Sequence, residues 1–182
     1  MLIEAVVFNF KEVGEKSAAD IKNECLCHFA YDLKELAEKG LFFIDNFNAE
    51  PPQHLETFVD FVKEFVSWTC NRSSGAVGLP NLIPYMYYFW SRDVKDGYYV
   101  KTPERYARQN IQRLIYALNQ PYIRSGIQSA FTNTSVFDRP YLEALFGGSI
   151  FPDGEFMIDE IEEFVKHYID CKLTGYSLSN ED

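Results

Sequence analysis

Basic residues are scarce in this chain. Its 17 Lys and Arg stand against 27 Asp and Glu, leaving a formal net charge of −10 over 182 residues. A surface of that sign repels phosphate backbones and excludes direct nucleic-acid binding as the expected role. Ligands that carry phosphate would have to be met by local cations or helix N-termini. Long apolar runs are lacking too, since no segment approaches the about 18 uninterrupted apolar residues of a membrane span. Met1 to Phe10 has no basic start, and Glu4 interrupts its apolar run, which argues against a secretory signal. Cysteine is limited to Cys25, Cys27, Cys70 and Cys171. Without a secretion signal these read as reduced thiols in a cytoplasm. Together with His54 and His167 they show no zinc-ligand spacing. There is no internal repeat and no low-complexity tract.

Aromatic side chains are plentiful. Hydrophobic residues make up 47% and aromatics 16%, with 16 Phe and 12 Tyr. That is ample for the core of one domain, and it argues against disorder. It also exceeds what a domain this small readily buries. Part of the surplus is expected to face a partner, either a second copy or a further piece of the same fold.

The pattern predicts alternating strands and helices. Leu2 to Phe10 is strand-like, and Ser17 is placed to cap a short helix through Asp20 to Glu24. A helix from Tyr31 to Lys39 is closed by Gly40, and Leu41 to Ile44 follows as a short apolar segment. After Pro51-Pro52, Leu55, Phe58, Val59, Val62, Phe65 and Val66 recur at three- and four-residue spacing, marking one helical face that Phe61 and Trp68 widen. Asn71 to Gly78 reads as a turn, and Leu79 to Arg92 as an aromatic helix with Pro84 near its first turn. Asp96-Gly97 is a turn before a strand-like Tyr98 to Val100. Thr102-Pro103 starts a helix with Thr as cap, running to about Asn119. Ile127 to Phe137 is strand or extended loop. Tyr141 to Phe146 is a brief helix stopped by Gly147-Gly148. Asp153-Gly154 turns the chain into a last amphipathic helix, Asp159 to Cys171, followed by a polar tail.

Three stretches carry candidate chemistry. In Asn71-Arg-Ser-Ser-Gly-Ala-Val-Gly78 the glycines let backbone approach a ligand, and a helix start follows; the plain alternative is a flexible connector. From Ala117 to Asp138, neutral hydrogen-bonding side chains (Asn119, Gln120, Gln128, Thr132, Asn133, Thr134) crowd around an Arg124-Ser-Gly126 step. Amides and hydroxyls at that density suit a polar, uncharged ligand portion such as a ribose; alternatively they satisfy their own turn. In Cys25-Leu-Cys27-His28-Phe-Ala-Tyr-Asp-Leu33, two thiols and a histidine precede an aromatic segment, though both cysteines also suit small buried positions.

Read together, Ser73-Ser-Gly-Ala-Val-Gly-Leu-Pro-Asn81 and Gln128-Ser-Ala-Phe-Thr-Asn133 resemble the anaerobic (class III) ribonucleoside-triphosphate reductases, a glycyl-radical enzyme family, over about Tyr31 to Glu163. The resemblance implies an α/β fold, a helix-rich partial segment of a ten-stranded α/β barrel, forming one partial domain over residues 1–182. It implies an oxidoreductase that reduces ribonucleoside triphosphates to deoxyribonucleotides by radical chemistry. Ser74, Gly75, Gln128 and Asn133 would then line the substrate cavity, with Cys27 as the catalytic thiol. Cys25 and His28 compete with Cys27 for that place, because a one-residue slip turns a strand side chain to the other face. Arg92, Lys95 and Lys101 would meet the phosphates of a deoxynucleotide effector, near a dimer contact built on the helix His54 to Trp68; each reads equally well as a solvated basic residue.

No cofactor is expected on this chain. The family implies a glycyl radical installed by an iron–sulfur/S-adenosylmethionine activase, and a zinc site, both on sequence this chain does not carry. Three roles compare. The first is a subunit completed by a complementary reductase polypeptide. The second is a non-catalytic module for deoxynucleotide binding or dimerisation. The third is a truncated product with no role of its own.

Overall fold

A computed structural model describes residues 5–6, 29–42, 48–73, 75–98, 102–146 and 158–173. The expected helix after Ser17, Cys25, Cys27, His28, Ser74, Lys101, the Gly147-Gly148 and Asp153-Gly154 turns and the tail lie outside the described residues, as does most of the strand expected over Leu2 to Phe10.

Among the described residues ten elements follow one another: β1 (Ala5–Val6), β2 (Phe29–Tyr31), α1 (Lys34–Lys39), α2 (Leu55–Cys70), β3 (Val77–Gly78), α3 (Leu82–Lys95), α4 (Pro103–Leu118), β4 (Thr132–Asn133), α5 (Arg139–Phe146) and α6 (Ile158–Leu173). The strands form one sheet in the order β1-β2-β3-β4. β1 runs antiparallel to β2, whereas β2, β3 and β4 are mutually parallel. Parallel neighbours need long crossovers, and helices supply them here: α1 and α2 between β2 and β3, α3 and α4 between β3 and β4. The fold is therefore mixed α/β, as the sequence predicts.

The helices bear out their apolar spacing. In α2 the six residues of the predicted face are all buried. α3 is enclosed almost all round, with Leu82 to Trp90 buried throughout, because it is packed by α2 on one side and α6 on the other. Phe58 of α2 stacks on Phe89 of α3 at 4.8 Å, and Phe164 of α6 meets Trp90 at 5.5 Å. Gly40 ends α1 at φ +82°, where a Cβ would strike the Ala49 carbonyl. Gly97, at φ +67°, makes the predicted turn after α3.

Four expectations need correction. The helix expected from Tyr31 begins at Lys34, and Tyr31 itself ends β2. The stretch Asn71 to Gly78 is not all turn: Val77 and Gly78 are the central parallel strand, their short apolar step hidden among glycines and serines. Thr102 stands at the start of α4, yet its side chain makes no capping hydrogen bond. Tyr98 belongs to no strand; its ring packs against His54, and the next two residues lie outside the described set. Among the described residues no helix is long and apolar enough to cross a membrane.

Candidate functional site

Strand parity sorts the side chains of the sheet into two faces. Phe29 and Tyr31 share the face turned to the helices: their rings are 5.9 Å apart, and Tyr31 meets Phe65 of α2 edge-on at 5.1 Å. Val77, fully buried, belongs to the same face. The opposite face carries Ala30, Gly78 and Asn133, which pair in that order across three strands. Two of these three positions have little or no side chain, so the face lies low around the Asn133 carboxamide. Gly78 permits this closeness. A Cβ there would stand 2.9 Å from Asn133 Oδ1 and 3.0 Å from the Phe29 carbonyl oxygen. Asn133 is exposed, and among the described residues its carboxamide makes no hydrogen bond.

At the carboxyl ends of the strands, polar side chains tie the exits together. Asn81 donates from Nδ2 to Asp32 Oδ1 at 2.6 Å and accepts the Leu33 N–H on Oδ1 at 3.2 Å. Asp32 Oδ1 also accepts the Lys34 N–H at 2.8 Å. Thr134 donates its hydroxyl to the Leu79 carbonyl at 2.9 Å. In open parallel sheets this end is where ligands bind.

The amino ends are built differently. Asn71, just past α2, donates to the Ile123 carbonyl at 3.0 Å and accepts the Ser125 N–H at 2.7 Å. Arg124 donates to the Ser73 carbonyl at 3.0 Å, and its guanidinium lies 5.6 Å from the Phe131 ring centre. A tight hairpin closes with the Arg124 N–H on the Gln128 carbonyl at 3.1 Å, turning through Gly126 at φ +86° and Ile127 at φ 59°. Below it the Cys70 thiol is buried, which raises it above its ordinary range, and the nearby Arg124 charge partly offsets that rise.

The expected substrate residues thus fall into two groups. Gly75 and Gln128 lie on the amino side of β3 and β4, in neighbouring loops joined through Arg124; Asn133 stands at the carboxyl end of β4. A cavity of about 580 Å³ runs beside β4 between α4 and α6, walled by Leu114, Leu118, Phe131, Tyr168 and the residues Thr132 to Thr134. Asn133 borders it; Gly75 and Gln128 do not. Arg92 and Lys95 sit in the last turn of α3, where cations suit the helix dipole, and Arg92 is engaged with the Tyr88 hydroxyl at 2.9 Å. Among the described residues, no three His, Cys, Asp or Glu side chains gather so as to hold a metal ion.

Sequence reasoning placed Gly78, Asp32 and Asn81 in its candidate stretches but missed that Gly78 pairs with Asn133 and Asn81 with Asp32 at this end of the sheet. Asn81 had a local signal, an Asn directly before a helix, but that signal points to capping. Its side chain makes no cap bond to α3 and reaches across to β2 instead.

Comparison with known proteins gives a consistent outcome. The family model for anaerobic ribonucleoside-triphosphate reductase matches residues 19–180, a wider stretch than the resemblance read from the motifs. The crystal structure of the anaerobic ribonucleotide reductase from Thermotoga maritima in complex with dATP and CTP is similar at a TM-score of 0.71 and 42% identity, covering 79% of this chain and 24% of that one. The structure of the Thermotoga maritima reductase with dATP bound in the specificity site gives 0.70 and 43%, over 78% of this chain and 25% of that one. With glycerol in the active site, the values are 0.71 and 42%, over 79% and 24%. This chain therefore spans about a quarter of the length of the structures it matches. Among curated proteins, nothing matches.

Proposed function

The chain belongs to the anaerobic ribonucleoside-triphosphate reductase family, and from that premise we propose that it supplies the early strands of a ten-stranded α/β barrel and part of a ribonucleotide cavity. The observation that carries this reading is the Asn133 carboxamide, unspent and lying across Gly78 on the open face of the sheet. A neutral donor–acceptor of that kind suits a ribose hydroxyl or a base edge better than a phosphate. Gly75, Ser74 and Gln128 are assigned to the same ligand through the family motifs that contain them, and Cys27 to the reducing thiol.

The chain spans about a quarter of the reductases it matches, and we assign the rest of the barrel, the radical glycine and the zinc site to the part of a reductase that these residues do not span. The glycyl radical, when present, supplies the hydrogen-atom abstraction that starts ribose reduction. This chain's residues would hold and orient the nucleotide and keep water out. Thermotoga maritima structures with CTP and with dATP support a ribonucleotide substrate and a deoxynucleotide effector. Arg92, Lys95 and Lys101 are assigned to the effector.

The test is purification from an oxygen-free extract, with mass identification of whatever accompanies the chain and CTP titration of the product. Recovery of the rest of a reductase, on the same or on a stoichiometric second polypeptide, together with saturable CTP binding is the expected result. Recovery of a homodimer alone that binds dATP and not CTP would replace this reading with that of a non-catalytic effector module.

A further inference from the structure

The parallel ladder that builds the site is very short. β2 has three residues, and β3 and β4 have two each. So few ladder bonds specify register weakly, and a slip of one residue would turn Asn133 to the opposite face. Something besides the ladder must hold the three strand exits in place.

Two links do so. On one side, the Leu79 N–H donates to the Asn133 carbonyl at 2.9 Å and the Leu79 carbonyl accepts the Thr134 hydroxyl, fixing the exit of β3 to that of β4. On the other side, among the described residues, the side-chain link to β2 runs through Asn81. It is buried, both ends of its carboxamide are used on the turn after β2, and its own carbonyl accepts the Tyr85 N–H as α3 begins. We propose that Asn81 is a positioning residue for the ribonucleotide cavity, setting the exits of β2 and β3 against each other so that Ala30, Gly78 and Asn133 keep one common face toward the ligand. This rests on the reading given above and adds to it a residue that need not touch the nucleotide.

The test exploits the partner's charge. Asn81→Asp places a second carboxylate against Asp32, in a setting that already holds Glu38 and the buried Tyr85 phenol, which burial and then the Asp32 and Glu38 charges raise above its ordinary range. Two carboxylates at that spacing repel until they share a proton, and the shared proton then restores the bond that the amide made. CTP is the probe, with the wild type titrated in parallel to cancel the ligand's own phosphate ionisation. The protein is used as isolated from oxygen-free cells, with any polypeptide that accompanies it.

The expected result is CTP binding weakened about tenfold in Asn81→Asp near pH 8, with the gap closing as the pH falls toward about 5. Asn81→Ser, too short to span both partners, should bind about tenfold more weakly at every pH with its far-ultraviolet circular dichroism unchanged. Both variants binding like the wild type would overturn the proposal. So would losses that track helix content and show no recovery in acid, since those mark a merely structural residue. A wild type that binds no CTP overturns the ribonucleotide reading itself, and the role of Asn81 with it.

Discussion

His54 Nδ1 lies 2.7 Å from Oδ1 of Asp93, and at that contact the ends of three helices meet on one buried carboxylate. Because a carboxylate only accepts, the imidazole nitrogen is the donor. The other oxygen, Oδ2, takes the Leu55 N–H that opens α2 and the Tyr106 hydroxyl from α4, both at 2.8 Å. Tyr98 adds a lid: its N–H bonds the Asp93 carbonyl at 3.0 Å and its ring stacks on His54 at 3.5 Å between centres. α2 has no side-chain cap of its own, so Asp93, from the end of α3, serves in that place.

Removing the acceptor should therefore cost far more than removing one donor. Asp93→Ala strands three donors in a nearly dry setting, and we expect about 3–5 kcal/mol of lost stability. His54→Ala should cost about 1 kcal/mol, because its ring is partly exposed and Asp93 keeps two donors. Urea denaturation of both variants checks the ranking; equal midpoints would contradict it.

Gly78 makes a second, purely steric prediction. A methyl group there meets Asn133 Oδ1 at 2.9 Å, the Phe29 carbonyl oxygen at 3.0 Å and the Ala30 Cα at 3.3 Å. Two of these atoms are backbone, so the strands must part, and Gly78→Ala should lose about 1–3 kcal/mol. The side-chain amide signals of Asn133 should move in a nuclear magnetic resonance spectrum. Gly97→Ala is the contrast: nothing lies within 4 Å, and only its φ of +67° opposes the change, for about 1 kcal/mol.

These two sites show what the sequence made legible. The face of α2 could be read directly, because burial on one side of a helix imposes a spacing that a chain displays openly. The end of α1 at Gly40 was equally plain. β3 was not, because two residues show no alternation and their neighbours are turn formers. The register of Gly78 with Asn133 joins residues 55 positions apart, and no local pattern encodes it. Asp93 was hidden for a like reason: its position near the end of α3 suggests a solvated charge, and only tertiary packing brings His54, Leu55 and Tyr106 to it.

The two described cysteines should be slow to react in the native chain. Burial raises both thiols above their ordinary range, with Arg124 partly opposing this at Cys70 and Arg108 at Cys171. Thiolate is the reactive form, so alkylation near pH 7.5 should be slow at both sites and rapid after unfolding. Peptide mapping of iodoacetamide-treated protein distinguishes them; prompt native labelling of Cys70 would refute its enclosed placement below the Arg124 hairpin.

Tyr106 and Tyr168 fix the sign of the alkaline response. Burial pushes the Tyr168 phenol up to about 12. Tyr106 is raised further, by burial first and then by its hydrogen bond to Asp93 and that group's charge. The native state therefore keeps protons that the unfolded chain releases near the ordinary value of 10.0. The stabilisation from both groups is complete below that pH and is lost as the pH rises from there through their folded values. Stability measured by urea titration should thus be steady through neutral pH and decline above about 10. Phenolate absorbance from these two residues should grow together with helix loss and not ahead of it. Tyr106→Phe should start about 1 kcal/mol less stable at neutral pH, since Asp93 loses a donor. Its decline in alkali should nevertheless be shallower, because one proton fewer is released on unfolding. A Tyr106→Phe slope equal to that of the wild type would mean that the Tyr106 phenol ionises freely in the folded chain, and that the junction around Asp93 is open to water.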